Sequence, residues 1–154
     1  MSRVMRRAAE VMKLGLRVCG PLALLLVIVG CAGGVNGPVI EGNRRSSGED
    51  AGIFGVLEID GDCLYLSQAG ADWRHPVIWP HGTKWDPRES AVVLPGRTLV
   101  HEGDEISGGG GFHTEENLSG FTSQEGVDLA LSCVDDEFGE VAVFNSGDRV
   151  EVHP

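Results

Sequence analysis

The sequence predicts a small all-β domain, a barrel or sandwich of about six short strands, OB-like connectivity among its options, with at most a short helical turn. Three observations carry this. Apolar and β-branched runs of four to seven residues recur along the C-terminal two thirds of the chain. Turn pairs such as Asp60-Gly61, Pro95-Gly96 and Ser146-Gly147 punctuate them. With 23 glycines and 7 prolines in 154 residues, no convincing long helix fits between the turns.

Ile53 to Ile59 (IFGVLEI) meets Asp60-Gly61-Asp62 and then Cys63-Leu64-Tyr65-Leu66, and Asp-Gly between two such runs is a hairpin signal. Strand alternation puts Cys63 and Tyr65 on one face, Leu64 and Leu66 on the other. Ser67 to His75 reads as a polar loop. Pro76-Val77-Ile78-Trp79-Pro80 reads as a short extended piece that its prolines confine to an edge or a barrel corner. His81 to Ser90 is irregular, and Ala91 to Leu94 and Arg97 to His101 form strands around Pro95-Gly96. Gly108 to Gly111 reads as a flexible loop, because four adjacent glycines hold a regular element only at high entropic cost. Thr114 to Asn117 starts a brief helical turn that Gly120 limits. Val127 to Val134 fits a strand or a helical turn equally well. Glu140 to Asn145 and Arg149 to Val152 close the chain as a hairpin.

Ahead of this domain the chain has a different character. Arg3, Arg6, Arg7, Lys13 and Arg17, against the single acid Glu10, precede the apolar stretch Pro21 to Val29, the order of charge and hydrophobicity found in an export signal. Initiation at Met1, Met5 or Met12 leaves that order intact. The stretch runs into Ile28-Val29-Gly30-Cys31, which resembles the lipobox of bacterial lipoproteins. The resemblance implies that residues 1–30 are removed and that Cys31 becomes the mature N-terminus, carrying a thioether-linked diacylglycerol with fatty acyl chains such as palmitate and a third chain on its amine as an option. Two or three chains bind a bilayer almost permanently, so lipid would replace the discarded helix as anchor on the extracytoplasmic side of the cell membrane. The competing reading is an uncleaved membrane helix, since Val18 to Val35 is an uncharged run of 18 residues. Pro21, Gly30, Gly33 and Gly34 weaken it.

Residues 31–50 then read as a flexible tether, and residues 51–154 as one β domain. A coil of that length reaches about 25 Å, enough to lift a domain off the headgroups. After the signal, 7 basic and 22 acidic side chains remain, a net charge of −15. Such a charge repels nucleic acid and anionic headgroups, and its plainest consequence is solubility.

Candidate chemistry is thin. Cys63 and Cys133 remain once Cys19 has left with the signal and Cys31 is acylated, and in an exported chain an even pair is most simply a disulfide. Two buried thiols or a metal site are the alternatives; without a CxxC the metal is the weaker one. Trp73, Trp79 and Trp85 lie six apart, with His75 and His81 among them, and indole faces stack on sugar rings. They are the candidate ligand-binding residues, against the reading that they are core. His75, His81, His101 and His113 show no zinc-ligand spacing and no HExxH; they read as surface histidines. No GxSxG elbow suggests a catalytic nucleophile, and the glycine run lacks the Lys and Ser/Thr of a phosphate loop. Asp60, Asp62, Asp104, Glu105, Asp135, Asp136 and Glu137 follow no EF-hand pattern, so they read as turn and edge residues. The sequence names no cofactor, metal ligand or catalytic residue.

Asp62-Cys63-Leu64-Tyr65-Leu66, Pro76-Val77-Ile78-Trp79-Pro80, Gly108 to Gly111 and the late Cys133 are similar in outline to a group of small exported actinobacterial proteins of unassigned function. Asp before Cys63 and Ile before Trp79 depart from that outline. The resemblance implies a fold and a compartment, and no activity. The functional expectation is a non-enzymatic, lipid-anchored binding or scaffolding protein of the cell envelope, with an envelope protein or glycan as partner and no nucleic acid. The alternative is a small envelope enzyme or accessory acting on cell-wall glycan through Trp73 to Trp85.

Overall fold

The computed structural model describes residues 37–71, 73–135 and 139–153; the expected signal region, Cys31, Asp136 and Glu137 lie outside them. Five strands close into a barrel: β2 (Gly52–Asp60), β3 (Cys63–Ser67), β4 (Arg74–Trp79), β8 (Glu105–His113) and β9 (Val141–Phe144). β2 pairs antiparallel with β3 and β8, β3 antiparallel with β4, β4 parallel with β9, and β9 antiparallel with β8, which closes the ring. Taken in chain order, the third and last barrel strands are the one parallel pair of that ring, an OB-like connectivity.

Five further strands decorate the barrel. β1 (Ile40–Glu41) runs parallel to β4, and β10 (Glu151–His153) is antiparallel to β8. β5 (Lys84–Asp86), β6 (Ala91–Val93) and β7 (Leu99–Val100) form a separate antiparallel sheet. The irregular stretch expected from His81 to Ser90 therefore contains a strand. Two helices, α1 (Glu115–Leu118) and α2 (Gln124–Ser132), lie between β8 and β9.

The apolar residues sort into two clusters on opposite faces of the barrel wall. Ile53, Leu57, Leu64, Leu66, Val77, Trp79, Ile106, Ala142 and Phe144 point inward, and Val92, Leu94, Val100 and Val150 extend that core. Ile78, Val141 and Val143 point outward, against Ile40, Leu118, Val127 and Ala130. β4 and β9 are thus covered on both faces, which is why PVIW and VAVF read as unbroken apolar runs. Their place is the middle of the sheet. The expectation of an edge for Pro76 to Pro80 fails because Pro76 precedes the first residue paired with β9, Val77, and Pro80 lies just past the strand end, so neither costs that ladder a donor.

Four expectations are revised. Gly108 to Gly111 form no flexible loop; they are the centre of β8, the barrel strand that pairs with β2, β9 and β10. A Cβ on Gly110 would collide with the Val143 carbonyl, one on Gly108 would press on the Phe144 ring at 3.1 Å, and those on Gly109 and Gly111 would have to displace the Asp148 and Glu49 carboxylates. Close backbone approach, not mobility, requires glycine at 110. Val127 to Val134 belongs largely to α2, nine residues long, where a single turn was the most expected. Ser123 caps it, its hydroxyl accepting from Gly126 N at 3.2 Å. The C-terminal hairpin does not form: β9 and β10 both pair with β8, end to end along one edge, and not with each other. Finally, the folded part begins well before residue 51. Val39 and Ile40 are buried, Gly42 N donates to the Trp79 carbonyl at 2.8 Å, and Glu49 N donates to Asn145 Oδ1 at 2.8 Å. Residues 39–50 are a strap across the barrel; their polar composition gave the appearance of a tether.

Candidate functional site

Alternation along β3 places Cys63 and Tyr65 on the outer face of the barrel and Leu64 and Leu66 inside. Cys63, the first residue of β3, is joined to Cys133 at the end of α2, with α-carbons 5.7 Å apart across a sequence separation of 70. The bridge pins the helical segment against the barrel wall over the outer apolar cluster.

Beside it lies a polar cluster gathered around Arg74. Arg74 opens β4 on the same outer face, and its guanidinium sits 3.9 Å from the centre of the Tyr65 ring. It donates to Asp60 Oδ2 at 2.8 Å, through Nε to Asp135 Oδ2 at 2.9 Å, and lies 3.7 Å from Glu58. Asp60 is the register partner of Cys63, and Asp135 follows Cys133 by two, so the disulfide delivers both carboxylates to the arginine. The hydrogen bonds Arg74 donates to Asp60 and Asp135 hold its guanidinium pKa well above the ordinary value. Burial pushes the Tyr65 hydroxyl up; the nearby Arg74 charge opposes this, and the acids reinforce it. Three carboxylates around one guanidinium leave a site that is already neutralised and closed to an anion. The acids read as turn residues in the sequence are here arginine ligands. Nothing in the sequence pairs positions 58, 60, 74 and 135.

A second polar constellation holds the strap. Glu49 Oε2 accepts from His113 Nε2 at 2.9 Å, directly over Gly111. Asn145 Nδ2 donates to the Glu49 carbonyl at 2.9 Å and to Asp148 Oδ2 at 2.6 Å. The His113 ring packs on Phe121 at 4.2 Å, with the Arg45 guanidinium 4.3 Å from the Phe121 centroid. These contacts fix the N-terminal segment to the glycine strand.

The three candidate tryptophans are not brought together. Trp79 is completely buried, stacked on Phe144 at 5.7 Å, and its Nε1 has no hydrogen-bond partner. It is core, so its face cannot meet a sugar. Trp73, half-buried, packs at 4.8 Å on His75, which in turn packs at 4.8 Å on Phe112. These three rings share the inward phase of β4 and β8 and fill the end of the barrel where β4 begins. Trp85, also half-buried, lies on the three-stranded sheet against the main core. His75 is buried rather than superficial, its Nδ1–H donating to the Glu140 carbonyl at 3.1 Å. His81 pairs with Glu41 at 2.8 Å. Among the described residues no group of three or more His, Cys, Asp or Glu side chains is arranged to hold a metal ion. A groove of about 280 Å³ runs between the Pro95-Gly96 turn and Asp148 to Val150. Comparisons with protein-family models, curated proteins and solved structures give no match to this chain.

Proposed function

We propose that the protein is a lipid-anchored, extracytoplasmic lipoprotein whose β domain serves as a non-enzymatic binding or scaffolding module of the cell envelope. The observation that carries the reading is the Cys63–Cys133 bridge standing downstream of the Ile28 to Cys31 lipobox. Disulfides persist in oxidising compartments and are rare where thioredoxin and glutathione keep thiols reduced, so bridge and signal point to the same side of the membrane. The small OB-like barrel suits a scaffold, its outer wall closed by the Arg74 network and the helices. Glycan binding through Trp73 to Trp85 lacks a shared stacking face, since Trp79 is interior and the other two lie on different elements. The test is Cys31→Ala expressed in a lipoprotein-processing bacterium. The wild-type chain is expected in the membrane fraction with an acyl mass on Cys31 and residues 1–30 removed, and the variant is expected to lose both the mass and the anchoring. Unchanged fractionation of the variant, with no acyl mass on wild type, refutes the proposal.

A further inference from the structure

Resting on that anchored reading, we infer that the outer face of the three-stranded sheet, β5 to β7, is the surface this protein lays on anionic lipid headgroups. Two independent observations bear on this sheet. The first is where the chain enters the fold. Gly37 lies against the inward-facing Trp85 of the edge strand β5, close enough that a Cβ would fall 2.5 Å from the indole Cδ1, so the chain enters beside this sheet. Six residue steps separate Cys31 from Gly37 in the sequence. That span reaches at most about 20 Å fully extended and about 13 Å as a coil. A domain of this length has a diameter of about 30 Å, so so short a leash keeps the entry pole turned toward the bilayer.

The second observation is the distribution of charge. Residues 82–100 carry Lys84, Arg88 and Arg97 against Asp86 and Glu89; the rest of the chain after the signal carries four basic and twenty acidic side chains. Residues 82–100 are therefore the least acidic part of the chain after Asp50, although Glu41 accepts from Gly82 N at 2.7 Å and Asp148 lines the groove beside Pro95-Gly96. Trp85, Val92 and Val100 point into the core, so alternation turns Lys84, Val93 and Leu99 outward, and the register aligns these three in one row across the sheet. Leu99 is 36 % exposed, and Lys84, Arg88 and Arg97 are exposed. A row of two apolar side chains and a lysine, with an arginine in each flanking turn, matches an interface of acyl chain and phosphate. The acidic remainder is repelled outward, which fixes orientation as well as distance.

Lys84 is the single lysine after Cys31, so its chemistry reports on this face alone. The lipidated chain is reconstituted in phosphatidylglycerol-containing vesicles, in neutral phosphatidylcholine vesicles and in detergent micelles. Each sample is treated with a water-soluble amine-acetylating reagent, and the Lys84 and Cys31 peptides are read by mass. Acetylation is expected to be several-fold slower in the anionic vesicles, with the difference abolished at high salt and in the Arg88→Gln, Arg97→Asn double variant. Asn is used at 97 because that residue has φ 71°, which Asn tolerates. Equal rates in all three samples, or equal protection in neutral and anionic vesicles, overturn the inference while the Cys31 acyl mass leaves the anchored reading standing. An absent acyl mass overturns both.

Discussion

Removing the disulfide as Cys63→Ala with Cys133→Ala should be the most damaging change the structure allows without touching the barrel interior. The bridge closes a loop of 70 residues, and the chain-entropy relation gives about 4 kcal/mol at 25 °C for that length. Unfolding entropy for a domain of this length is near 0.24 kcal/mol per kelvin, so the melting temperature should fall by about 17 °C. Location adds a second, local signature. The bridge is the one covalent tie between β3 and the end of α2, and it carries Asp135 to Arg74. Loss should therefore loosen residues 124–135 before the strands. Calorimetry compares the oxidised protein with the double variant, and hydrogen exchange resolved by segment reports the order of opening. A fall of under about 5 °C, or a loss of protection spread evenly over helix and barrel, would refute the claim that this bridge staples the helical segment to a pre-formed wall.

Two further outcomes follow from single positions. Tyr65 is the only tyrosine, so absorbance near 295 nm titrates it alone. Burial raises its folded pKa above 10.0, and a raised phenol favours the protonated native state; that contribution is present at neutral pH and is lost as pH rises through the folded value. The expected midpoint lies above 10.0 in the native protein and returns to the ordinary value in denaturant, whereas equal midpoints contradict the packed Tyr65–Arg74 face. In β8, Gly110→Ala drives a methyl into the Val143 carbonyl, with backbone on the far side that cannot yield, and should cost about 2 to 4 kcal/mol in urea unfolding. Gly147→Ala, which meets nothing within 4 Å, is the control and should change stability by less than about 0.5 kcal/mol.

How much was legible varies by element, for physical reasons. The hairpin β2 to β3 was readable because Asp60-Gly61 supplies the turn and the alternation of Cys63, Leu64, Tyr65 and Leu66 is local. For Val127 to Val134 strand and helical turn stayed equally open although Val127, Ala130, Leu131 and Val134 follow the i, i+3, i+4, i+7 spacing; counting Leu129 in place of Ala130 blurred that period into alternation. The glycine strand could not have been found by propensity, because what demands glycine at 110 is a backbone carbonyl from residue 143, far away in the sequence. The strap was hidden for a related reason. Glu41 to Asp50 contains no apolar residue, and its anchoring depends on Asn145, His113 and Phe121, between about sixty and a hundred positions away.

By itself the sequence determined the all-β class, the alternation that turns Leu64 and Leu66 inward, and the pairing of Cys63 with Cys133, since each of these depends on neighbouring residues or on counting; the lipobox-like run Ile28 to Cys31 motivates only the proposed address. Tertiary structure alone decided that Trp79 is core, that the glycines form a barrel strand, and that Arg74 gathers Asp60 and Asp135. Those arrangements depend on which surfaces meet when the ring closes, and ring closure joins residues whose separation along the chain carries no pattern of its own.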